Sequence, residues 1–256
     1  MIYDIQRAST WKRISAFLFD SILLGIAAVL FAYLLSLLLG FDTHYETMNA
    51  AYTRYGEEYG VDFNVGLTEY EAMDEAQLEN LNAAYAALSA DEEAMYAYNM
   101  LISLTLTITS IAILLAFLLL EFTVPLLWRN GQTLGKKIFG IGVMRVDGVK
   151  ISGVSLFVRT LLGKYALETM IPVLLILMIF FGTLGLTGTI VLGLIALIQL
   201  ILLLATRNRT PIHDILASTL TIDVGSQLIF DSREDMIAYK RRFMPSRSPA
   251  PVTNNW

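Results

Sequence analysis

The sequence of 256 residues contains no cysteine and only two histidines, His44 and His213. Disulfide bonds and thiol chemistry are therefore excluded, and two isolated histidines do not make a histidine metal site. The chain also lacks an HExxH motif, a Gly-x-Gly-Asp pair and a serine nucleophile with a histidine nearby. We therefore predict that the protein is not an enzyme and that it carries no cofactor.

Charge is also scarce, since 16% of the residues are charged and 55% are hydrophobic, and the mean hydropathy is +0.59. This composition is typical of an integral membrane protein rather than a soluble domain. Four stretches are long enough to cross about 30 Å of hydrocarbon: residues 14–39, 99–124, 165–184 and 186–205. The first is too long for the apolar region of a cleaved signal sequence, so we predict a retained span.

The third and fourth stretches meet at a glycine-containing segment, residues 181–188. A single helix over 165–205 would be about 60 Å long, twice the thickness of the hydrocarbon. A tight helical hairpin at the glycines therefore explains the sequence better. The predicted fold is an all-α membrane protein, a four-transmembrane-helix bundle with a small cytoplasmic β-layer and an extracytoplasmic helical loop.

The distribution of charge predicts the orientation of the spans. Residues 41–98 hold thirteen Asp or Glu and one basic residue, Arg54, whereas the other seventeen Lys and Arg lie before Asp20, between residues 128 and 164, or after residue 205. Since Lys and Arg accumulate on the cytoplasmic side, both termini should be cytoplasmic in a multi-pass protein of the plasma membrane. The basic side then faces an anionic leaflet and implies no nucleic-acid partner.

These patterns divide the chain into six segments. They are 1–40 (N-terminus and first span), 41–98 (acidic extracytoplasmic loop), 99–124 (second span), 125–164 (cytoplasmic loop with a β-hairpin), 165–205 (third and fourth spans) and 206–256 (cytoplasmic C-terminal segment).

The acidic loop is predicted to contain two helices, over about residues 69–88 and 90–98, with the second running into the second span. Thr68 with Glu71, and Ser89 with Glu92, have the spacing of capping boxes. One interpretation is a solvated helical hairpin, and the other is a cation-attracting vestibule or a partner-binding surface.

The segments on the basic side predict short elements. Asp147-Gly148 between partly alternating residues predicts a β-hairpin of 141–146 and 149–152 with a type I′ turn. Residues 219–224 alternate as a strand and should add a third strand to this hairpin. Ser152 or Ser155 could cap a short interfacial helix, and Lys136 and Lys137 are interpreted as contacts to the membrane surface.

Three parts of the sequence together resemble the RDD family of membrane proteins, which is named for one arginine and two aspartates. They are Arg13 and Asp20 in the first span, GQTLGKKIFGIGVMRVDG after the second, and HDILA after the last. By motif, Arg13 and Asp20 correspond to the arginine and the first aspartate, and Asp214 is the candidate for the second. The resemblance implies a bacterial protein, and members are usually supposed to be transporters, with cation/proton exchange suggested for some.

The ionisable residues of the spans, together with the polar residue Gln199, are expected at one depth. Asp20 lies about 10 Å inside the boundary, at 1.5 Å per residue, and Glu121, Glu168 and Gln199 lie in the same third of their spans. Lys164, Arg159 and Arg13 lie at the boundary, and His213 and Asp214 could return to it. Three carboxylates close together would repel each other, so one of them should hold a proton or a cation. Alternatively, Arg13 and Asp20 form a buried pair that sets the helix register, and the glutamates extend to the interface.

The sequence leaves two functions open. In the first, the protein transports a small cation or a proton-coupled solute through an inward-facing acidic pocket, with a homo-oligomer enclosing the path. The residues expected to bind the ion are Arg13, Asp20, Glu121, Glu168, Gln199 and Asp214. In the second, it is a non-enzymatic scaffold or accessory subunit with a membrane-protein partner. In both, the lipid bilayer surrounds the spans.

Overall fold

A computed structural model describes residues 6–128, 130–182, 184–205 and 211–243 of the chain. The chain divides into two compact units. Residues 28–113 form one of them, called here the helical unit, and residues 1–27 with 114–256 form the other, called here the sheet unit.

Three helices of the described residues are long and apolar enough to cross a membrane. They are α1 (Thr10–Leu38), a helix over Glu92–Leu127 and a helix over Gly153–Phe180. A further helix over Gly185–Ala205 packs against the end of the third one, but its described apolar part, Gly185–Ile198, is shorter. The described residues therefore give three spans by length and composition, where the sequence predicts four.

The helical unit contains three further helices, α2 (Phe41–Tyr59), α3 (Leu67–Glu71) and α4 (Glu75–Ala90). Helix α2 is absent from the sequence prediction, although it is bracketed by Gly40 and Gly60, which have positive φ values of 69° and 62°. Such backbone is inexpensive only for glycine, so the two glycines mark the helix boundaries.

The predicted caps of this unit are wrong. Asp74 and Gln77 form the capping box of α4, and Asp91 accepts hydrogen bonds from the backbone N–H groups of Glu93 and Ala94 at the start of the second span. Asp91 also accepts from the hydroxyl of Tyr55 on α2 at 3.1 Å. A carboxylate accepts several hydrogen bonds at once and therefore replaces the predicted serine cap.

The second and third spans each contain a π-helical segment. The second consists of α5 (Glu92–Ala116), π1 (Phe117–Thr123) and α6 (Val124–Leu127), and the third of α8 (Gly153–Phe157), π2 (Val158–Met170) and α9 (Ile171–Phe180). A proline, Pro125 or Pro172, follows each π segment and cannot donate to the carbonyl four residues earlier. π-helical turns are rare in proteins, and those that occur are often found at functional sites.

The third span begins earlier than the sequence predicts. Ser152 accepts a hydrogen bond from the backbone N–H of Ser155 at 3.1 Å and so caps α8 as expected. However, α8 continues without a break into π2, so there is no separate interfacial helix before the span. Helix α10 (Gly185–Ala205) follows the third span.

The β-layer has two strands in the described part of the chain rather than the predicted three. Strand β1 (Ile141–Arg145) pairs antiparallel with β2 (Thr219–Asp223), and residues 149 and 150 make only single bridges. The turn after β1 is not type I′, because Gly148 has positive φ and Asp147 does not. Asp147 instead accepts a hydrogen bond from the backbone N–H of Val149 at 3.3 Å, and this local bond favours a three-residue loop that ends at the glycine.

Three shorter helices complete the sheet unit. They are α7 (Leu134–Ile138) before β1, α11 (Ile212–Leu216) before β2, and α12 (Arg233–Phe243) after it. The interior beside the sheet is apolar, with Val143, Ile151 and Leu156 in one cluster and Met144, Leu220 and Ile222 in another. The sheet therefore supports α7 and α11, which carry polar residues of the site.

We expect Leu88→Ala to weaken the helical unit. Leu88 is buried in a cluster with Met48 and Ala51, and leucine-to-alanine changes in cores cost about 2–5 kcal/mol. Hydrogen–deuterium exchange of the full-length protein should show faster exchange of α2 and α4. The control is Leu67→Ala, because Leu67 is exposed and surface changes stay within about 0.5 kcal/mol. Equal exchange in the two variants would contradict this packing.

Candidate functional site

Eight ionisable side chains of the sheet unit are buried or nearly so and belong to one set of contacts, called here the charge network. They are Asp20, Glu121, Lys136, Arg159, Lys164, Glu168, His213 and Asp214.

Arg159 and Asp214 form the most deeply buried ion pair of the network. Their side chains are 3% and 1% exposed, and Nε of Arg159 lies 2.7 Å from Oδ1 of Asp214. The hydroxyl of Thr219 on β2 donates to the same carboxylate at 2.7 Å. The pair therefore connects π2 of the third span with α11 and the sheet.

The surroundings of Asp214 keep it ionised. Burial alone would raise the pKa of this carboxyl, but the charge of Arg159, then that of His213, and the hydrogen bonds from Arg159 and Thr219 together lower the pKa below its ordinary value. The carboxylate is thus the stable form at neutral pH.

Glu121 and Lys164 form a second buried pair between the two π segments. Nζ of Lys164 lies 2.6 Å from Oε2 of Glu121. The backbone carbonyl of Glu121 also accepts a hydrogen bond from the hydroxyl of Thr160 at 3.1 Å. Pro125, four residues later, cannot donate to this carbonyl, because proline has no N–H.

Glu168 holds the start of α11 through two hydrogen bonds to one residue. The backbone N–H of His213 donates to Oε1 at 2.9 Å, and Nδ1 of the imidazole lies 2.7 Å from Oε2. Gly163 makes this approach possible, since a Cβ there would lie 2.5 Å from Cβ of His213. Burial and the charge of Arg159 lower the pKa of His213, although Glu168 opposes them.

Asp20 holds α7 in a similar way. Its carboxylate accepts hydrogen bonds from the hydroxyl of Thr133 and from the backbone N–H of Gly135, the second at 2.7 Å. A Cβ on Gly135 would lie 2.5 Å from the carbonyl oxygen of Ala16, so glycine is needed for this contact. Asp20 and Ala16 are also the buried residues of α1. The first span therefore binds the GQTLGKK segment through the Asp20 carboxylate.

Lys136 differs from the other members of the network. Its side chain is buried, and within the described part of the chain its ammonium nitrogen has no hydrogen-bond partner. The sequence interpretation of Lys136 as a membrane-surface contact is therefore wrong, because α7 turns the residue inward. The neighbouring residue Lys137 is exposed, and its ammonium nitrogen lies 3.9 Å from the ring centroid of Trp128.

The predicted site residues that the structure describes do not form a pocket of carboxylates that repel one another. Asp20, Glu121 and Glu168 each have a donor partner, which removes the repulsion expected from the sequence. Asp20 bonds to Thr133 and Gly135, where the sequence suggested a pair with Arg13. The side chain of Gln199 lies outside the described residues.

Sequence reasoning missed the partners of the carboxylates. Arg159 and Lys164 were expected at the membrane boundary, and Thr133, Gly135 and Lys136 were not expected in the site. Two signals could have found them. Arg159, Lys164 and Glu168 follow one another at spacings of five and four residues, which puts their charges along one helix, and buried carboxylates require cationic or hydrogen-bonding partners. No group of three or more metal-ligating side chains occurs in the described part of the chain.

Comparison with known proteins gives a family and one partial relative. The sequence model of the RDD family matches residues 7–218. A protein of Bacillus subtilis (strain 168), described as "Uncharacterized protein YckC", is 32% identical over 110 residues. This match covers 43% of the present chain and 58% of the relative, so the chain spans somewhat more than half of that protein. No solved structure matches the chain.

We expect the stability of the fold to fall in acid because of Asp214. Its pKa in the folded protein lies below the ordinary value of 3.8. The carboxylate therefore stabilises the folded state at neutral pH, and this contribution is lost as the pH falls below about 4. Melting temperatures of the purified protein between pH 7 and pH 3 should fall more steeply than those of Asp214→Asn. Asp231→Asn, at an exposed residue, should follow the unmodified protein. Parallel curves for Asp214→Asn and the unmodified protein would contradict the assignment.

Proposed function

Because this chain belongs to the RDD family of membrane proteins, we propose that it transports a small cation or a proton-coupled solute. We further propose that it is a bacterial plasma-membrane protein with four spans, the fourth being α10, and with both termini in the cytoplasm. The acidic segment 41–98, with thirteen carboxylates and one basic residue, would then lie outside.

The observation that carries the proposal is the Glu121–Lys164 pair. Both residues lie within candidate membrane spans, and their side chains are 7% and 15% exposed. A charged residue at the centre of a membrane helix costs at least about 2.5 kcal/mol, so such residues are rare and mark ion or proton pathways. A pair that served only to join two helices could be replaced by apolar residues at little cost.

The contacts of the network modify the mechanism suggested by the sequence. Asp20 is engaged by the hydroxyl of Thr133 and the N–H of Gly135, so we assign it to positioning of α7 rather than to ion binding. Glu121 is the better candidate for the binding carboxylate, since one lysine is its only side-chain partner in the described residues. A cation or a proton that displaces Lys164 from Glu121 would neutralise this carboxylate in place of the lysine and leave the ammonium of Lys164 without its partner.

The location of Glu121 and Lys164 in the two π segments also supports a conformational change during transport. Glu121 lies in π1 and Lys164 in π2, and the hydroxyl of Thr160 bonds to the backbone of π1. π turns can shift within a helix, because they contain one residue more than the regular turn. A shift of either segment would separate Glu121 from Lys164. A homo-oligomer would enclose the path, since four spans are few for a carrier.

A scaffold function is the second candidate, and one observation favours it. Every carboxylate of the network has a donor partner, as a purely structural core requires. In that case the helical unit would be the docking surface for a membrane-protein partner, and the protein would have no enzymatic activity.

A transport assay with single and double variants of the Glu121–Lys164 pair distinguishes the transport function from the scaffold function. Purified protein in liposomes with a pH gradient should exchange Na⁺, K⁺ or Li⁺ for protons. Removing one partner of a buried pair costs about 3–5 kcal/mol, so Glu121→Gln alone should lower both stability and flux. The double variant Glu121→Gln/Lys164→Gln should regain the melting temperature but not the flux, which we expect to stay at least about tenfold lower.

The control for this assay is Glu234→Gln, at an exposed residue of α12, which should transport as the unmodified protein does. Full flux in the double variant would show that the pair is structural. No exchange of the three cations by the unmodified protein, together with co-purification of a stoichiometric partner, would favour the scaffold.

A further inference from the structure

Lys136 is the one buried ionisable side chain of the described residues whose charged atom lacks a hydrogen-bond partner. Its side chain is 7% exposed, and it lies on α7, which the Asp20 carboxylate holds against α1. A buried ammonium carries three N–H donors, and leaving them unpaired costs more than leaving a neutral amine unpaired. The position therefore favours loss of a proton.

Charged groups from three elements surround Lys136. Asp20 on α1 and Glu121 on π1 attract its positive charge, whereas Lys164 and Arg159 on π2 repel it. Burial is the largest influence, followed by the repulsion from Lys164 and from Arg159, and together they lower the pKa of Lys136 to about 7. His213 and Asp214 on α11 are engaged with Glu168 and Arg159.

We propose that Lys136 is the proton-binding residue of the charge network, and that its ammonium form competes with Lys164 for the carboxylate of Glu121. This inference rests on the proposed transport function, because it names the group that couples transport to a proton. When Lys136 is the neutral amine, Glu121 pairs with Lys164, as in the structure. When Lys136 takes up a proton from a hydronium ion, an O–H bond of that ion breaks as an N–H bond forms, a water molecule is released, and the new positive charge draws Glu121 away from Lys164.

The charges of the network favour a proton over a bound anion as the species that Lys136 accepts. Four carboxylates, Asp20, Glu121, Glu168 and Asp214, are accompanied by three basic side chains and a histidine of lowered pKa. With Lys136 protonated and His213 neutral, the net charge is −1. An additional anion would increase this imbalance, whereas protonation of Lys136 reduces it.

The other members of the network are less suited to this role. Arg159 stays protonated in proteins and is bonded to Asp214 at 2.7 Å. His213 has Glu168 at 2.7 Å on one ring nitrogen, and its backbone N–H bonds to the same carboxylate. Lys136 alone can gain or lose a proton without first breaking a hydrogen bond seen in the described part of the structure.

The direct test is the pH dependence of thermal unfolding of the purified full-length protein. The folded-state pKa of Lys136 lies below its unfolded value of 10.5. The unfolded chain therefore binds this proton between about pH 7 and pH 10.5 while the folded chain does not, so the stability contributed by this residue rises with pH across that window. Lys136→Met removes the effect and should melt higher than the unmodified protein at pH 6, by roughly 5 °C or more, with the gap closing by pH 10.

Three variants complete the design. Lys137→Met changes the exposed neighbour and should show no pH-dependent gap. Lys136→Arg keeps the charge at every pH and should melt below the unmodified protein most clearly at high pH. Lys136→Gln serves as a second neutral variant if Lys136→Met does not fold, and it should show the same closing gap.

Two results would overturn the assignment. The first is a gap between Lys136→Met and the unmodified protein that does not change with pH. The second is a rise in the melting temperature of the unmodified protein at about pH 9 on addition of inorganic phosphate, absent in Lys136→Met, since it would show that the ammonium persists well above neutral pH and binds an anion.

Transport provides the second readout in the same liposomes. The cation flux of the unmodified protein, measured as a function of pH, should show an inflection near neutral pH. Lys136→Met and Lys136→Arg should both lose this inflection. If the unmodified protein carries none of the three cations, the transport proposal fails, and the melting curves still decide whether Lys136 binds the proton.

Discussion

The ion pair of Arg159 and Asp214 is the interaction on which the sheet unit depends. Both side chains are almost completely shielded from solvent, and Thr219 adds a hydrogen bond from the sheet. Two charges in a low-dielectric interior are tolerated only when each satisfies the other. The π2 segment, α11 and β2 must therefore keep their relative positions, and this arrangement places Glu168 and Lys164 of the same span beside His213 and Glu121.

The same requirement explains the two short helices beside the sheet. Helices α7 and α11 have five residues each and would not be stable alone, because helix nucleation is costly. A carboxylate from a membrane span accepts a backbone N–H at the start of each, Asp20 for α7 and Glu168 for α11. Glycine at positions 135 and 163 allows both approaches. The carboxylates thus orient the segments that carry Lys136 and Asp214, and the proton-binding role proposed for Lys136 follows from its ammonium nitrogen, which has no hydrogen-bond partner among the described residues.

Part of this arrangement can be predicted from sequence. Hydropathy locates the long helices, and the cost of a carboxylate in an apolar helix is enough to single out Asp20. The resemblance to the RDD family, confirmed by the family match over residues 7–218, adds Asp214. The partners cannot be predicted in this way, because they depend on helix rotation and on contacts between distant segments. Asp20 meets Thr133, which lies 113 residues away along the chain, and the side chain of Lys136 points inward only because of how α7 docks.

The central claim is that paired buried charges hold the spans and the short helices together. A double-mutant cycle with Arg159→Met, Asp214→Leu and the combined variant tests it most directly through free energies of unfolding. The account predicts that each single change destabilises by about 3–5 kcal/mol, because it leaves a buried charge unpaired. It also predicts that the combined change costs far less than their sum, with an interaction energy of about 2 kcal/mol or more. Single changes that add within about 0.5 kcal/mol would contradict it.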